Sequence, residues 1–470
     1  MKKITYIFFI ALGTGGFFTS CDNYLEDKIA SPNDPTEVSP DLLLSNTEVA
    51  TFATFGGQLA RQTQIFTQQI AGTSAGSQTV QFMNYNITEL TNENEWEVIY
   101  NGVLMNAKLI VDNSGSANPH YAGMAKVLTA LNLGLATDLW GDVPYSQALT
   151  GLDGEFEASY DTQQSLLDDS NGGSIFALLD AAIADLSRPA SDNVQIPAGD
   201  DFIYGGDVSK WIAAAHSLKA RYYNRLSQRD AAGSAASALA SMASGITSSA
   251  DDFNMIFGPN GAEQNQWYAF NQQRGDYIKM GEFFVDLLNA NADPRLPFYA
   301  AQDPQGNYSG TPKDDVDSIQ TSNVGSYLNS LAATALPLVS FVEMKFIEAE
   351  AQLRAGAPLA AATAYNEAVI ESVTQVTGAA PSAAFIAAFA AETPATITLE
   401  TIMTQKYIAM FGQCEAYSDF RRTGFPALTP NPIGNITTIP VRLVTPQNER
   451  LYNPKATIVG DLTTPVYWDN

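Results

Sequence analysis

Histidine and cysteine are scarce in this chain, which has 2 of each among 470 residues. The motifs H-E-x-x-H, C-x-x-C and G-x-x-x-x-G-K-[ST] do not occur, and His120 and His216 are far apart in sequence. The sequence therefore offers no candidate residues for a zinc-binding histidine pair, a redox-active dithiol or a cysteine nucleophile with a nearby base. The sequence shows no evident catalytic apparatus and implies no cofactor.

Basic residues are few as well. Lysine and arginine number 24 against 50 aspartates and glutamates, so the formal net charge is −26 at pH 7. Such a chain repels the phosphates of nucleic acids and the headgroups of anionic lipids at long range. The charge therefore excludes both as the main partner, and it leaves neutral and cationic ligands open.

Apolar runs long enough to span a membrane are lacking, and the one notable run is N-terminal. Lys2 and Lys3 precede an apolar stretch over residues 4–18, which is shorter than the roughly 20 residues of a spanning helix. It is typical of a secretory signal over residues 1–20. The run Phe18-Thr19-Ser20-Cys21 looks like a lipobox, which predicts lipid attachment at Cys21.

The residues after Cys21 are polar and contain three prolines up to residue 40. We interpret residues 21–40 as a tether between the lipid and the folded body. Once Cys21 carries a lipid, Cys414 is predicted to be a small buried side chain rather than a nucleophile.

Helical periodicity is clearest between residues 340 and 428. Apolar residues recur every three or four positions on one stripe: Val342, Phe346, Ala349 and Leu353. Gly356 ends this helix, Pro358 begins the next one, and Gly378 closes it. Several alanines let the two helices approach closely, as in tetratricopeptide pairs of about 34 residues. A third stripe begins at Leu399.

Similar stripes predict helices throughout the first half of the chain. Their ranges are 94–112, 120–140, 175–186, 207–222 with Asp207 as the N-cap, and 231–244. Between residues 248 and 336 glycine, proline, asparagine and tyrosine replace the apolar period, and long loops of this kind are usually functional. The longest helix predicted there spans residues 281–291.

These patterns together predict a mainly α fold of tetratricopeptide-like stacked helix hairpins, with a loop-rich insertion and few short strands. The scaffold occupies residues 41–247 and 337–428, and the ligand-facing insertion occupies residues 248–336. Residues 429–470 are predicted to be irregular, with a possible strand over residues 439–444.

Arg421 and Arg422 lie beside Glu415 and Asp419. Adjacent arginines can bind an anion or join an internal ion cluster. We favour the cluster, because guanidinium groups beside carboxylates usually satisfy each other.

Three motifs resemble the SusD/RagB-like outer-membrane nutrient-binding lipoproteins. They are Gln405-Lys406-Tyr407 with Glu415, Arg421-Arg422-Thr423-Gly424 and Pro426; Leu139-Trp140-Gly141-Asp142-Val143-Pro144-Tyr145; and Tyr204-Gly205-Gly206-Asp207 with Trp211 and Ser217-Leu218-Lys219-Ala220-Arg221. The resemblance spans the chain from Cys21 to the C-terminal region. The acidic residues after Cys21 resemble the surface-export signal of Bacteroidetes lipoproteins.

The resemblance implies a protein held by its lipid at the outer membrane and facing the cell exterior. Such proteins cap a TonB-dependent, SusC-like barrel and pass oligosaccharides, or in some members peptides, into it. We therefore expect capture and delivery of an oligosaccharide without bond cleavage. Peptide binding and a surface hydrolase are the alternatives.

The segment 257–277 has the composition of a sugar site. Trp267, Tyr268 and Phe270 alternate with several asparagines and glutamines. Aromatic rings cover the C–H face of a sugar, and amides both donate to and accept from hydroxyl groups. Asn265 and Arg274 are further candidates. The competing interpretation is that the rings hold the loop onto the helices.

Trp96 and Tyr85 are second candidates for ligand contact, because Tyr85 lies in the loop just before the helix of Trp96. Trp96 also falls on the apolar stripe, which favours core packing.

Two motifs have mainly structural interpretations. Gly72-Thr73-Ser74-Ala75-Gly76 matches the hydrolase elbow G-x-S-x-G, but no strand is predicted before Ser74, so we interpret residues 72–86 as a loop. Asp314, Asp315 and Asp317 lack the ligand spacing of a calcium loop, and a solvated turn is favoured. The sequence therefore names no metal.

Overall fold

The computed structural model describes residues 38–330 and 335–469. The predicted signal peptide, the lipidation site Cys21 and almost all of the tether lie outside the described residues. In what is described, no helix combines the length and the apolar character that crossing a membrane requires.

Helices alternate with short strands along the described chain. The helices are α1 (Pro40–Gly56), α2 (Gln58–Phe66), α3 (Gln78–Met83), α4 (Glu93–Glu97), α5 (Met105–Ser114), α6 (Pro119–Trp140), α7 (Gln163–Leu166), α8 (Ile175–Leu186), α9 (Val208–Arg225), α10 (Ala231–Met242), α11 (Gln266–Gln273), α12 (Glu282–Ala290), α13 (Leu296–Tyr299), α14 (Phe341–Arg354), α15 (Pro358–Thr377), α16 (Ala383–Phe389), α17 (Leu399–Ala409), α18 (Glu415–Thr423) and α19 (Gln447–Tyr452). The strands are β1 (Ile70–Gly72), β2 (Val143–Pro144), β3 (Tyr160–Asp161), β4 (Phe253–Met255), β5 (Ile278–Met280) and β6 (Leu336–Val339).

Helix-on-helix packing dominates this architecture. Helices make up about 52% of the structure, which confirms the mainly α, tetratricopeptide-like prediction. Neighbouring helices pack as hairpins, with α6 against α8, α9 against α10, and α14 against α15. Helix α10 also packs against α14, so the two halves of the chain share one stack.

The hairpin of α14 and α15 follows the sequence signals closely. The Ser340 hydroxyl accepts a hydrogen bond from the Glu343 amide at 3.1 Å and caps α14. Ala349 and Ala361 have no exposed surface, which allows the close approach of the two helices. Gly378 ends α15 with a φ of 72°, a left-handed conformation that favours glycine. The predicted hairpin is therefore confirmed.

The predicted helices of the first half are present too. Asp207 caps α9, because its carboxylate accepts from the Ser209 amide at 3.0 Å. The predicted helix over residues 94–112 exists, but its middle turn is a π-helix over Val98–Leu104. In residues 72–86, which were predicted to be a loop, strand β1 ends and helix α3 forms, so that prediction was wrong in part.

Within the described residues there are three two-stranded antiparallel sheets, and two of them connect distant parts of the chain. Strand β1 pairs with β5, which joins the N-terminal helices to the loop-rich segment. Strand β4 pairs with β6 and brings the two ends of that segment together. The possible strand over residues 439–444 does not form, because the Val441 and Leu443 amides donate to the separate carbonyls of Leu462 and Leu139.

A buried ion cluster runs through the middle of the stack. Arg225 on α9 contacts Glu415 at 2.6 Å and Asp138 at 3.0 Å. Arg221 contacts Glu343 at 2.5 Å, and Arg422 contacts Glu350 and Asp419. The preference for an internal cluster is confirmed for Arg422. Arg421 differs: it donates to the Val441 carbonyl at 2.6 Å, and its guanidinium lies 4.5 Å from the Trp468 ring centre.

Gly134 in α6 is packed so closely that we expect a larger residue there to destabilise the stack. A Cβ atom there would lie 1.9 Å from the hydroxyl oxygen of Tyr222, whose side chain is 2% exposed and bonds the carbonyls of Ala130 and Leu131. Gly134→Ala is therefore expected to lower the free energy of unfolding by about 1–3 kcal/mol through overpacking. Urea denaturation measures this loss. Gly172→Ala is the control, because its Cβ would meet no atom within 4 Å; equal stability of the two variants would contradict the prediction.

Candidate functional site

A cleft opens beside Trp96, and we call it the Trp96 cleft. It measures about 710 Å³ and lies between the helix of residues 93–105, the loop over residues 144–158 and the segment 446–453. Its size is that of a site for a small molecule or a short oligomer. Its lining combines rings, amides and carboxylates: Trp96, Tyr100, Phe156, Asn101, Gln147, Asn448, Asn453, Glu93, Glu97, Glu155 and Glu449.

Trp96 forms the floor of the cleft within a group of aromatic rings. Its ring centre lies 4.6 Å from that of Tyr100, 5.3 Å from that of Trp140 and 6.4 Å from that of Tyr160. The Tyr100 hydroxyl donates to the Pro144 carbonyl at 2.8 Å. Trp96 is 8% exposed, so its indole is held in one orientation with a small part of its surface facing the cleft.

The helix that carries Trp96 widens directly beside the cleft. The π-helix over Val98–Leu104 contains Tyr100 and Asn101, both of which line the site. Turns of this kind are rare and often occur at functional sites. The sequence predicted the helix here but not the wider turn.

The polar wall of the cleft is organised by two glutamates. Glu449 accepts from the Tyr160 hydroxyl and from the Asn453 amide group, each at 3.0 Å. Glu93 accepts from the Asn448 backbone amide at 2.8 Å. Burial raises the pKa of Tyr160, and the Glu449 carboxylate raises it further, so the phenol keeps its proton and donates. The Glu93 bond holds α19 against the helix of Trp96, and the Tyr160 bond holds α19 against strand β3.

The outer wall of the cleft is a loop that presents Phe156. This ring is 78% exposed, which is unusual for a phenylalanine. The base of the loop is rigid, because the Asp161 carboxylate accepts from the backbone amides of Tyr145 and Ser146 at 2.9 and 2.7 Å. The loop therefore offers an apolar ring to solvent from an ordered support.

The predicted ligand residues divide between the cleft and the core. Trp96 lines the cleft, whereas Tyr85 is 4% exposed and its hydroxyl oxygen accepts from the Asn431 amide at 2.9 Å. Burial raises the pKa of the Tyr85 phenol. Tyr85 is therefore a core residue, and the expectation that it contacts ligand is corrected.

The first-choice candidates around Trp267 need a similar correction. Trp267 has no exposed surface, so its ring offers no face to a ligand in this conformation. Asn265 is buried and caps α11, because its side-chain oxygen accepts from the Trp267 amide at 2.9 Å. Both residues hold the segment onto the helices, which was the competing interpretation.

The remaining candidates on that segment stay accessible. Tyr268 and Phe270 are half-buried and Arg274 is exposed. The Phe270 ring lies 4.2 Å from the buried guanidinium of Arg61, and Arg274 lies 5.4 Å from the Tyr277 ring centre. Burial lowers the pKa of Arg61 to about 10. None of the three lines the Trp96 cleft.

The loop-rich segment does contribute to a second cleft of about 530 Å³. Residues 256–266 form one side of it, and Phe52 and Phe202 lie on the other. Phe202 and Ile256 are 45% and 41% exposed, so this cleft also presents apolar side chains to solvent.

Sequence reasoning missed Phe156, Asn448, Glu449 and Asn453. Their segments have no hydrophobic period, and periodicity was the signal that identified elements. One sequence feature could have indicated Phe156: it is a single aromatic residue between Glu155 and Glu157, just after Gly154. An apolar ring between two charged residues of a loop is expected near the surface, where ligand-binding residues are often found.

Ser74 and Cys414 are placed as structural residues. Strand β1 does precede Ser74, contrary to prediction, but the Ser74 hydroxyl donates to the Asp276 carbonyl at 2.9 Å rather than to a base. Cys414 is buried as predicted, and burial raises the pKa of its thiol to about 12, which keeps it protonated. In the acidic turn, the Asp315 carboxylate accepts from the Asp317 amide at 3.0 Å.

Comparisons with known proteins agree with this helical fold. The profile of a SusD-like family described as "Starch-binding associating with outer membrane" matches residues 32–446. A search of curated proteins finds no match. Because the profile covers most of the sequence, the chain belongs to the SusD-like family. The predicted resemblance to SusD/RagB proteins is confirmed.

Solved structures show the same fold over nearly the whole chain. A SusD/RagB family protein from Bacteroides thetaiotaomicron is 24% identical, with a TM-score of 0.75, and the match covers 92% of this chain and 99% of that one. A chitin-binding SusD homologue from Flavobacterium johnsoniae is 22% identical, with a TM-score of 0.78 and coverage of 92% and 98%. A further chitin-binding protein is 25% identical, with a TM-score of 0.74 and coverage of 92% and 100%.

Proposed function

We propose that this protein captures an oligosaccharide in the Trp96 cleft and does not cleave it. The observation that carries the proposal is the chemistry of the cleft wall. The exposed ring of Phe156 can cover the C–H face of a sugar, and Trp96 and Tyr100 add the small parts of their rings that face the cleft. The amides and carboxylates can bond the sugar hydroxyl groups. Such a combination suits a ligand that is apolar on its faces and polar around its rim.

We further propose that the captured glycan is delivered to a TonB-dependent, SusC-like barrel in the outer membrane. The family description supports the association with that membrane. In this proposal a lipid on Cys21 holds the protein at the outer face, and the stiff helical stack docks on the barrel. Two structurally similar proteins are described as chitin-binding, which supports a glycan as the cargo.

Phe156→Ala tests the site directly. The variant is expected to weaken the binding of a malto- or chito-oligosaccharide by about 1–3 kcal/mol, because an exposed ring that stacks on a sugar is lost. Isothermal titration calorimetry measures the affinity. The fold is expected to be unaffected, since the ring is 78% exposed.

Phe202→Ala is the matched control for this measurement. Phe202 is an exposed phenylalanine of the second cleft, so its removal is expected to leave glycan affinity unchanged. Weaker binding in Phe202→Ala but not in Phe156→Ala would move the site to the second cleft. Binding of oligopeptides but of no glycan would favour the peptide alternative, and release of shorter sugars by the purified protein would favour a hydrolase.

A further inference from the structure

The wall of the Trp96 cleft carries charge of one sign. Four glutamates line it, namely Glu93, Glu97, Glu155 and Glu449. Among the described lining residues none is a lysine, an arginine or a histidine. A bound ligand is therefore close to carboxylates and meets no basic side chain in the lining.

The basic residues Arg450, Lys455 and Lys108 bond to groups outside the lining of the cleft. Arg450 contacts Glu89 at 2.8 Å, and the Lys455 ammonium donates to the Glu157 carbonyl at 3.0 Å. Lys108 pairs with Asp112. Within the described part of the chain, the ion pairs thus leave the carboxylates of the cleft wall without a cationic partner.

The four carboxylates also differ in their freedom to meet a ligand. Glu93 and Glu449 already accept hydrogen bonds from Asn448, Tyr160 and Asn453, so they hold the wall in place. Glu97 and Glu155 are exposed and lie on the helix and on the loop respectively. These two side chains can approach a charged group on the ligand.

We infer that the Trp96 cleft selects an amino sugar, that is, a glycan whose units carry a protonated primary amine. This inference rests on the proposed function and names the class of its ligand. A cleft lined by charge of one sign focuses its potential on the bound molecule. An ammonium group gains from that field, a neutral acetamide does not, and a uronate is repelled.

The test compares three tetrasaccharides of equal length: glucosamine, N-acetylglucosamine and galacturonic acid oligomers. Calorimetry is done at a pH below the pKa of the sugar amine, so that the amine is protonated. It is repeated at low and at high salt concentration. The glucosamine oligomer is expected to bind about tenfold more tightly than its acetylated counterpart, which corresponds to about 1.4 kcal/mol. Added salt is expected to reduce this ratio, because exposed charges are screened.

The double variant Glu97→Gln and Glu155→Gln is expected to lower the ratio of the two affinities towards one. Glu157→Gln is the matched control, because this exposed glutamate lies in the same loop but outside the lining, and its ratio should equal that of the unaltered protein.

The possible failures are distinguishable. If the acetylated oligomer binds and the ratio is already near one, or if the double variant leaves it unchanged, the charge inference is overturned while glycan binding stands. Tighter binding of the galacturonic acid oligomer would overturn it as well. If none of these oligomers nor any malto-oligosaccharide binds, the proposed function falls, and this inference falls with it.

Discussion

Replacing Glu350 with alanine is expected to lower the free energy of unfolding by about 3–5 kcal/mol, because the change leaves a buried arginine without its main carboxylate partner. The Glu350 side chain is 1% exposed and pairs with Arg422, whose side chain is equally buried. It also accepts from the Asn224 amide at 2.9 Å and lies 3.3 Å from Arg354. Equilibrium unfolding in urea measures the loss.

Glu348→Ala is the control, two residues earlier on the same helix. Its carboxylate lies 3.0 Å from Lys345, but the side chain is 29% exposed. Exposed pairs of this kind contribute about 0.2–1 kcal/mol, so a small loss is expected. If the two variants lost equal stability, the ion cluster would not stabilise the stack as described.

Trp267→Ala is expected to destabilise the fold by about 3–5 kcal/mol without changing the affinity of the folded protein for a glycan. The ring has no exposed surface, so its removal leaves a large cavity under the loop-rich segment. Thermal or urea denaturation measures the stability, and calorimetry at a temperature well below unfolding measures the affinity.

Tyr268→Ala serves as the comparison, because the neighbouring side chain is only half-buried. A smaller loss of stability is expected for it. If Trp267→Ala instead kept its stability and bound glycan more weakly, the ring would contact the ligand after all, and its burial here would not describe the bound state.

The ion cluster shows which charge pairs a local sequence pattern can predict and which it cannot. Arg422 beside Asp419 indicated an internal cluster, since these residues are neighbours on one helix. Glu350 comes from α14, and Arg221 and Arg225 come from α9. No local pattern assigns these partners, because charge pairing across a core depends on how the helices stack.

Trp96 and Trp267 illustrate the same limit at the candidate site. Both are tryptophans among polar residues, and the sequence ranked Trp267 first because it lies in a long loop. The structure buries Trp267 completely and leaves part of Trp96 facing a cleft. Trp96 faces a cleft because residues 446–453 and the loop with Phe156 form the walls of a cleft beside it. Both segments are far from Trp96 in sequence.

The order of the main scaffold helices and most of their bounds were determined by the sequence itself, because apolar periodicity, caps and helix stops act over a few residues. The short helix in residues 78–83 and the π-helix beside Trp96 were not. The ligand surface was decided only by the tertiary structure. The cleft is formed by side chains from segments that are hundreds of residues apart in sequence. The hydrogen bond from the Tyr160 hydroxyl to Glu449 is one example. The free energy that brings them together comes from the packing of the whole stack, which no single stretch of sequence contains.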